Sequence, residues 1–236
     1  MSASTLAVLA LVVAAAAFVQ GTSGLGFALV VAPVAGLLAP ALLPVFVLAS
    51  MIPLNVYVAW RERHSLDLRG AGWITAARLA ATPGGLVLLW AVPERRLGLV
   101  VGVATVLAAV VSLAAPAFVP GRAAYLGAGL VTGLTETATG VGGPPLALVY
   151  QHRPPAELRS TVAVCFLIGE VVSLALLLAT GQGSPAQLGW AVLLLPALAV
   201  GAWLSRLAHH RVDAAKMRPL VLVFALVSGA VLILAP

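Results

Sequence analysis

Gln20-Gly21-Thr22-Ser23-Gly24-Leu25-Gly26-Phe27 and Glu136-Thr137-Ala138-Thr139-Gly140-Val141-Gly142-Gly143-Pro144-Pro145 are polar, glycine-rich interruptions in otherwise apolar stretches. Glu136 follows Gln20 by 116 positions in a chain of 236, and the same offset places Gly140 on Gly24 and Gly142 on Gly26. Matching breaks in the two halves of a hydrophobic chain point to a transport site between the repeats of a membrane protein.

Composition places the chain in lipid. It is 62% hydrophobic and 8% charged, against about 25% charged in a soluble domain. The first charge is Arg61, and a second uncharged run separates Glu170 from Arg206. Both runs exceed the roughly 20 residues of one span. The leading apolar run carries no Lys or Arg and continues past any plausible cleavage site, so no removed signal peptide is expected.

The net charge of +6 does not indicate a nucleic-acid partner. The basic residues fall in short loops, at 61–69, 95–96, 153–159 and 206–218, which is the pattern of topology signals. The single cysteine, Cys165, excludes an internal disulfide and reads as a packing residue. There is no His-Glu-x-x-His, and one cysteine cannot build a thiolate site, so neither a metal nor another cofactor is expected.

The hydrophobic pattern predicts an all-α polytopic membrane protein of about eight transmembrane segments. They cover about 5–38, 42–60, 72–91, 97–115, 123–151, 158–180, 188–207 and 220–234. Residues 1–115 and 116–236 form two four-segment repeats, each opened by a broken helix, with a hinge over 116–121. Trp60, Trp73, Trp90, Trp190 and Trp203 fall near span ends, where Trp anchors the interface. Loops after odd-numbered spans carry eight basic residues and those after even-numbered spans carry four. That bias puts the odd loops inside and both termini outside. An even number of crossings per half gives parallel repeats. If the broken segments dip in and return, the repeats are inverted, and the sequence does not decide between the two.

A helix that stops inside the bilayer leaves N–H and C=O groups that lipid cannot satisfy, so the break must be buried in protein or line a wet cavity. Glycine permits close approach, and a restarting helix presents free N–H groups and a positive dipole end to an anion. The candidate substrate-binding residues are therefore Gln20, Gly21, Thr22, Ser23, Gly24, Gly26 and Phe27 in the first half. In the second they are Thr137, Thr139, Gly140, Gly142, Gly143 and Pro144. The backbone from Gly24 to Phe27 and from Gly140 to Gly143 would hold an oxyanion, with the hydroxyls assisting. The blander reading is close helix packing through small residues, which suits Gly129 and Gly133 best.

Glu136 and Glu170 are the only carboxylates inside predicted spans. An ionised carboxylate there costs at least a few kcal/mol, which makes both candidates for proton coupling. The alternatives are a neutral Glu136 bonded to broken backbone, as Gln20 would be at the equivalent position, and a helix–helix hydrogen bond for Glu170. Asn55 lies 115 positions before Glu170 and would complete the cavity from the other side, or make one structural hydrogen bond. Arg78 either snorkels to the interface, the favoured reading, or charges the cavity. Arg159 is a topology anchor or a gate cation. Gly21-Thr22-Ser23-Gly24 also fits the Gly-x-Ser-Gly of an intramembrane serine hydrolase using Ser23, but that chemistry needs a base at membrane depth. His64, His152, His209 and His210 all fall in predicted loops.

The chain resembles the sulfite exporter TauE/SafE family of bacterial membrane proteins. The resemblance rests on the stretch 20–27 with Pro33, on Gly133 and the stretch 139–145, and on Arg159-Ser160-Thr161. It implies a multi-pass transporter of the bacterial inner membrane. The implied substrate is a small sulfur-containing anion, such as sulfite or an organosulfonate, and the implied direction is export. Proton coupling through Glu136 and rocking of one half against the other would complete the mechanism. An anion importer or channel would use the same site. The first half lacks a Pro-Pro pair at its break, so the halves need not contribute equally.

Overall fold

The computed structural model describes residues 2–114, 120–151, 153–208 and 214–234. The hinge expected over 116–121 and the basic loop at 209–217, with His152, His209, His210, Arg211, Lys216 and the Arg218 side chain, lie wholly or partly outside them.

The first half comprises α1 (Ala3–Ser23), α2 (Phe27–Leu38), α3 (Val45–Arg61), α4 (Leu68–Ala91) and α5 (Glu94–Ala114). The second comprises α6 (Arg122–Thr139), α7 (Gly143–Tyr150), α8 (Pro155–Ala179), α9 (Pro185–Leu193), α10 (Leu195–Ala208) and α11 (Ala214–Leu234). No strand occurs among the described residues. An all-helical chain follows from its composition, because a helix satisfies its own backbone where no water can. Among the described residues, α1, α4, Arg96–Ala114 of α5 and α8 are long and apolar enough to cross a membrane. The pair α9–α10, bent by 45°, makes a fifth if taken as one span. The apolar stretches Phe27–Leu38, Val45–Arg61 and Pro219–Leu234 are shorter.

Polarity is arranged inside out. Leu11, Val87, Leu107, Val192, Trp203 and Val227 face outward, while Gln20, Asn55, Arg78, Glu136, Thr137, Glu170 and Ser173 are buried. Lipid accepts the first set; the second must find partners within the protein.

Residue pairings fix the helix directions. Asn55 meets Glu170 and Glu62 meets Arg159, so α3 and α8 are antiparallel. Gly98 abuts Leu232 and Val106 abuts Gly229, so α5 and α11 are antiparallel too. Gly129 sits on Ile74 and Gly133 on Ala81, making α4 and α6 parallel. Gly201 sits on Ala14 and Gly21 on Ser205, making α1 and α10 parallel. At Gly129 and Gly133 a Cβ would collide with the carbonyl oxygens of Ile74 and Arg78, so these two glycines do serve close packing.

Both breaks turn the chain back. Tyr150, ending α7, stacks 5.8 Å from Tyr125 near the start of α6, so α7 returns to the end where α6 began. At the first break, α10 of the second half runs up beside α1 until Ser205 meets Gly21. α11 starts from that end with Val221 beside Gly26, and α2 follows α11 until Gly36 meets Leu232. The stretches 5–38 and 123–151 are therefore hairpins, the returning form that the sequence left open beside the single broken crossing counted among the eight segments. The 21 residues of α1 reach about 30 Å and span unaided.

Candidate functional site

The two breaks have the same construction. α1 ends at Gly24 with φ 85° and α6 at Gly140 with φ 79°. Each glycine N–H donates 2.7 Å back to the carbonyl four residues earlier, Gln20 and Glu136 respectively. This left-handed helix ending strongly favours glycine. Gly26 also has positive φ, 118°, and completes the first turn.

The side chains at the breaks bond mostly to their own helices. Thr22 Oγ1 donates to the Phe18 and Val19 carbonyls, and Ser23 Oγ to those of Val19 and Leu25. Thr139 donates to the Thr135 carbonyl, and Thr137 pairs with Ser173 at 2.8 Å. Among backbone donors, Phe27 N–H is held by Gln20 Oε1 at 3.1 Å and Val141 N–H by Thr139 Oγ1 at 3.2 Å. Thr132 Oγ1 donates to the Gly142 carbonyl. Among the described residues the bonds of Ser23 run to backbone, and His64 sits in the 3-10 turn Arg63–Ser65.

Between the breaks lies a buried polar cluster drawn from five helices. Gln20 Nε2 donates to Asn55 Oδ1 at 2.9 Å, and Asn55 Nδ2 donates to both carboxyl oxygens of Glu170 at 2.8 and 3.0 Å. Arg78 is ion-paired with Glu136, donates through Nη1 to the Cys165 carbonyl at 2.7 Å, and lies 5.4 Å from the Phe166 ring. Glu170 feels the charges of both Glu136 and Arg78. Arg78, Glu136 and Glu170 are all fully buried. Arg78 thus points inward, against the interfacial placement favoured from sequence. The physical reason is Gly169, whose missing side chain makes room for the guanidinium.

Beside break one lies a second charged cluster. Arg159 donates from Nε and Nη2 to Glu62 Oε1, both at 3.0 Å, and Arg61 bonds the same oxygen at 3.2 Å. Arg61 Nη2 also donates 2.7 Å to the Gly21 carbonyl, and Arg159 Nη1 lies 3.4 Å from that of Thr22. The otherwise unpaired carbonyls ending α1 are thereby tied to α3 and α8. Sequence reading named Arg159 but missed Arg61, Glu62, Phe166, Gly169 and Ser173. The motif Arg61-Glu62 carried a signal, being the first charges after a long apolar run.

A cavity of about 290 Å³ opens between the hairpins. Ser23, Leu25, Gly26 and Leu29 line it from the first hairpin; Gly143, Pro144 and Ala147 line it from the second. Arg153 and Gln151 stand at the end where α7 finishes. The cavity therefore reaches the starts of both returning helices.

Two helix breaks around one cavity, with carboxyls and a guanidinium buried behind them, are matched by a family likeness. The chain belongs to the sulfite exporter TauE/SafE family. The family model matches residues 9–232, nearly the whole chain. It is a family of membrane transporters, in keeping with the apolar helices of this chain. No curated protein and no solved structure matches the chain.

Proposed function

We propose that this TauE/SafE-family protein moves a small sulfur-containing oxyanion, such as sulfite or an organosulfonate, out of a bacterial cell across its inner membrane. The observation that carries this reading is the cavity shared by the starts of α2 and α7. Helix starts attract anions through free N–H groups and the helix dipole. α2 is the stronger of the two. Phe27 gives up one donor to Gln20, but the rest of its first turn is free of proline. Pro144 and Pro145 remove two donors from the start of α7.

Orientation follows from the hairpins. With each first segment returning, the described arginines Arg61, Arg63, Arg69, Arg122, Arg153, Arg159 and Arg206 gather at one end of the bundle. Arg95-Arg96 stands at the other. Counted along the folded chain, the bias is far stronger than the eight-to-four of the linear count, and the positive-inside rule makes the arginine-rich end cytoplasmic. The cavity opens at that end, past Arg153 and Gln151. A positive rim gathers anions, so loading from the cytoplasm and release outside are favoured.

The two halves are inverted repeats in this reading. α3 and α8, and α5 and α11, occupy equivalent positions and run antiparallel, as a two-fold axis in the membrane plane requires. Rocking about that axis would close the cytoplasmic cavity and open its mirror image.

A ligand-stability screen tests the function. Sulfite, sulfonates or thiosulfate at well above their Kd raise the melting temperature of the purified protein, because a ligand that binds only the folded state stabilises it. If no sulfur oxyanion shifts the melt more than chloride does, the anion site is not there.

A further inference from the structure

We propose that Arg78 is the cation that binds the transported anion, and that Glu136 holds its place in this structure as an internal surrogate for that anion. The inference rests on the anion-transport reading above. It starts from an imbalance. Arg78 and Glu136 pair with no exposure to solvent, yet Arg78 Nε and Glu136 Oε1 have no hydrogen-bond partner. A structural ion pair buried this deeply normally satisfies its remaining donors and acceptors, because desolvation is otherwise uncompensated. The Arg78 guanidinium is a planar fork suited to oxyanions, held by the Cys165 carbonyl on one side and with donor capacity to spare on the other.

The pair lies just behind the cavity wall. Gly143 lines the cavity, and a Cβ there would touch the Phe166 ring tip at 3.8 Å. The same ring faces the Arg78 guanidinium at 5.4 Å. Phe166 thus packs between Gly143 of the cavity wall and the Arg78 guanidinium. Around Arg78 and Glu136, the facing groups are Glu170 and Cys165 from α8, with Asn55 of α3 and Gln20 of α1 beyond Glu170. Glu170 is already engaged by Asn55 through both oxygens, which leaves Glu136 as the carboxyl bound to Arg78.

Exchange then works as follows. A proton from water adds to the Glu136 carboxylate, its charge attraction to Arg78 is lost, and the anion takes the vacated donors. The site gains one proton and one anion together, so a monovalent anion loads without net charge. Deprotonation of Glu136 restores the pair and expels the anion.

Methanesulfonate tests this because its charge is constant between pH 5.5 and pH 8. Its affinity is measured by thermal stabilisation of the full-length protein, wild type and three variants. Wild-type affinity falls about tenfold or more from pH 5.5 to pH 8, since a surrogate that wins must be disfavoured by that factor for the ligand to displace it. Glu136→Gln removes the competitor's charge, so affinity at pH 8 rises to the acid value and changes less than about twofold with pH. The double variant Arg78→Gln/Glu136→Gln keeps the charge balance, folds, and loses about tenfold or more at every pH. Retained affinity in the double variant, or an unchanged pH profile in Glu136→Gln, overturns the inference while leaving anion transport intact. So does a pH dependence that Glu170→Gln abolishes and Glu136→Gln does not. If methanesulfonate stabilises none of the proteins at any pH while sulfite stabilises wild type, Arg78 is not a general oxyanion cation and the inference fails alone. If neither anion stabilises wild type, both readings fail.

Discussion

A guanidinium sealed among helices needs space as well as charge partners, and Gly169 supplies the space. A Cβ at that position would lie far inside van der Waals contact with the Arg78 side chain. Overpacking a dense interior typically costs about 1–3 kcal/mol. Gly169→Ala should therefore lower the melting temperature clearly while Gly127→Ala, at a helical glycine with open space around it, does not lower it. Equal melts for the two would mean that Arg78 is not seated against Gly169. At this scale the sequence exposes what is costly. Glu136, Glu170 and Asn55 stand out because polar groups are rare in apolar runs. The inward turn of Arg78 does not stand out, since its pocket is made by a residue 91 positions away on another helix. The hydroxyls of Thr22, Ser23 and Thr139 were legible as polar, but their acceptors are nearby backbone carbonyls, which composition does not reveal.

Among the helices, the breaks themselves were readable where glycines cluster with polar residues, with Pro144-Pro145 opening α7, whereas Pro83-Gly84-Gly85 lies inside the unbroken α4. The direction of return was not. It depends on Gly24, Gly26 and Gly140 adopting positive φ and on which distant helix each limb then follows. Gly140→Ala forces a left-handed conformation on a residue with a side chain, a penalty of about 1–2 kcal/mol, and its Cβ would press on Val47 at 3.2 Å. It should lower the thermal midpoint more than Gly121→Ala, where the backbone is extended and the space open. A Gly140→Ala midpoint matching that of Gly121→Ala would contradict the hairpin turn. The clamp of Arg61, Glu62 and Arg159 on the end of α1 also escaped the sequence, which offered Arg159 as a topology anchor or a gate cation and Arg61 as a topology signal.

For the whole molecule, hydropathy alone told of lipid and of many helices but left open whether the broken segments return, because α2 with 12 residues and α7 with 8 merge into their neighbours in a hydropathy window. Once they are separated, most of the described arginines fall at one end in the proposed orientation. Two single-cysteine proteins test that orientation in a Cys165→Ser background. A thiol at His64 should react with an impermeant maleimide only after the cytoplasmic side is opened, and a thiol at Pro93 should react in intact cells. Reversed labelling would invert the molecule and turn the cavity outward.

Transport itself is the claim on which the rest depends. The most direct measurement is efflux of radiolabelled sulfite from proteoliposomes containing the purified protein. Efflux should be saturable, should compete with methanesulfonate, and should fall about tenfold or more in the Arg78→Gln/Glu136→Gln protein, as expected when the cation binding the anion is removed. Efflux no faster than from protein-free liposomes would contradict the assignment.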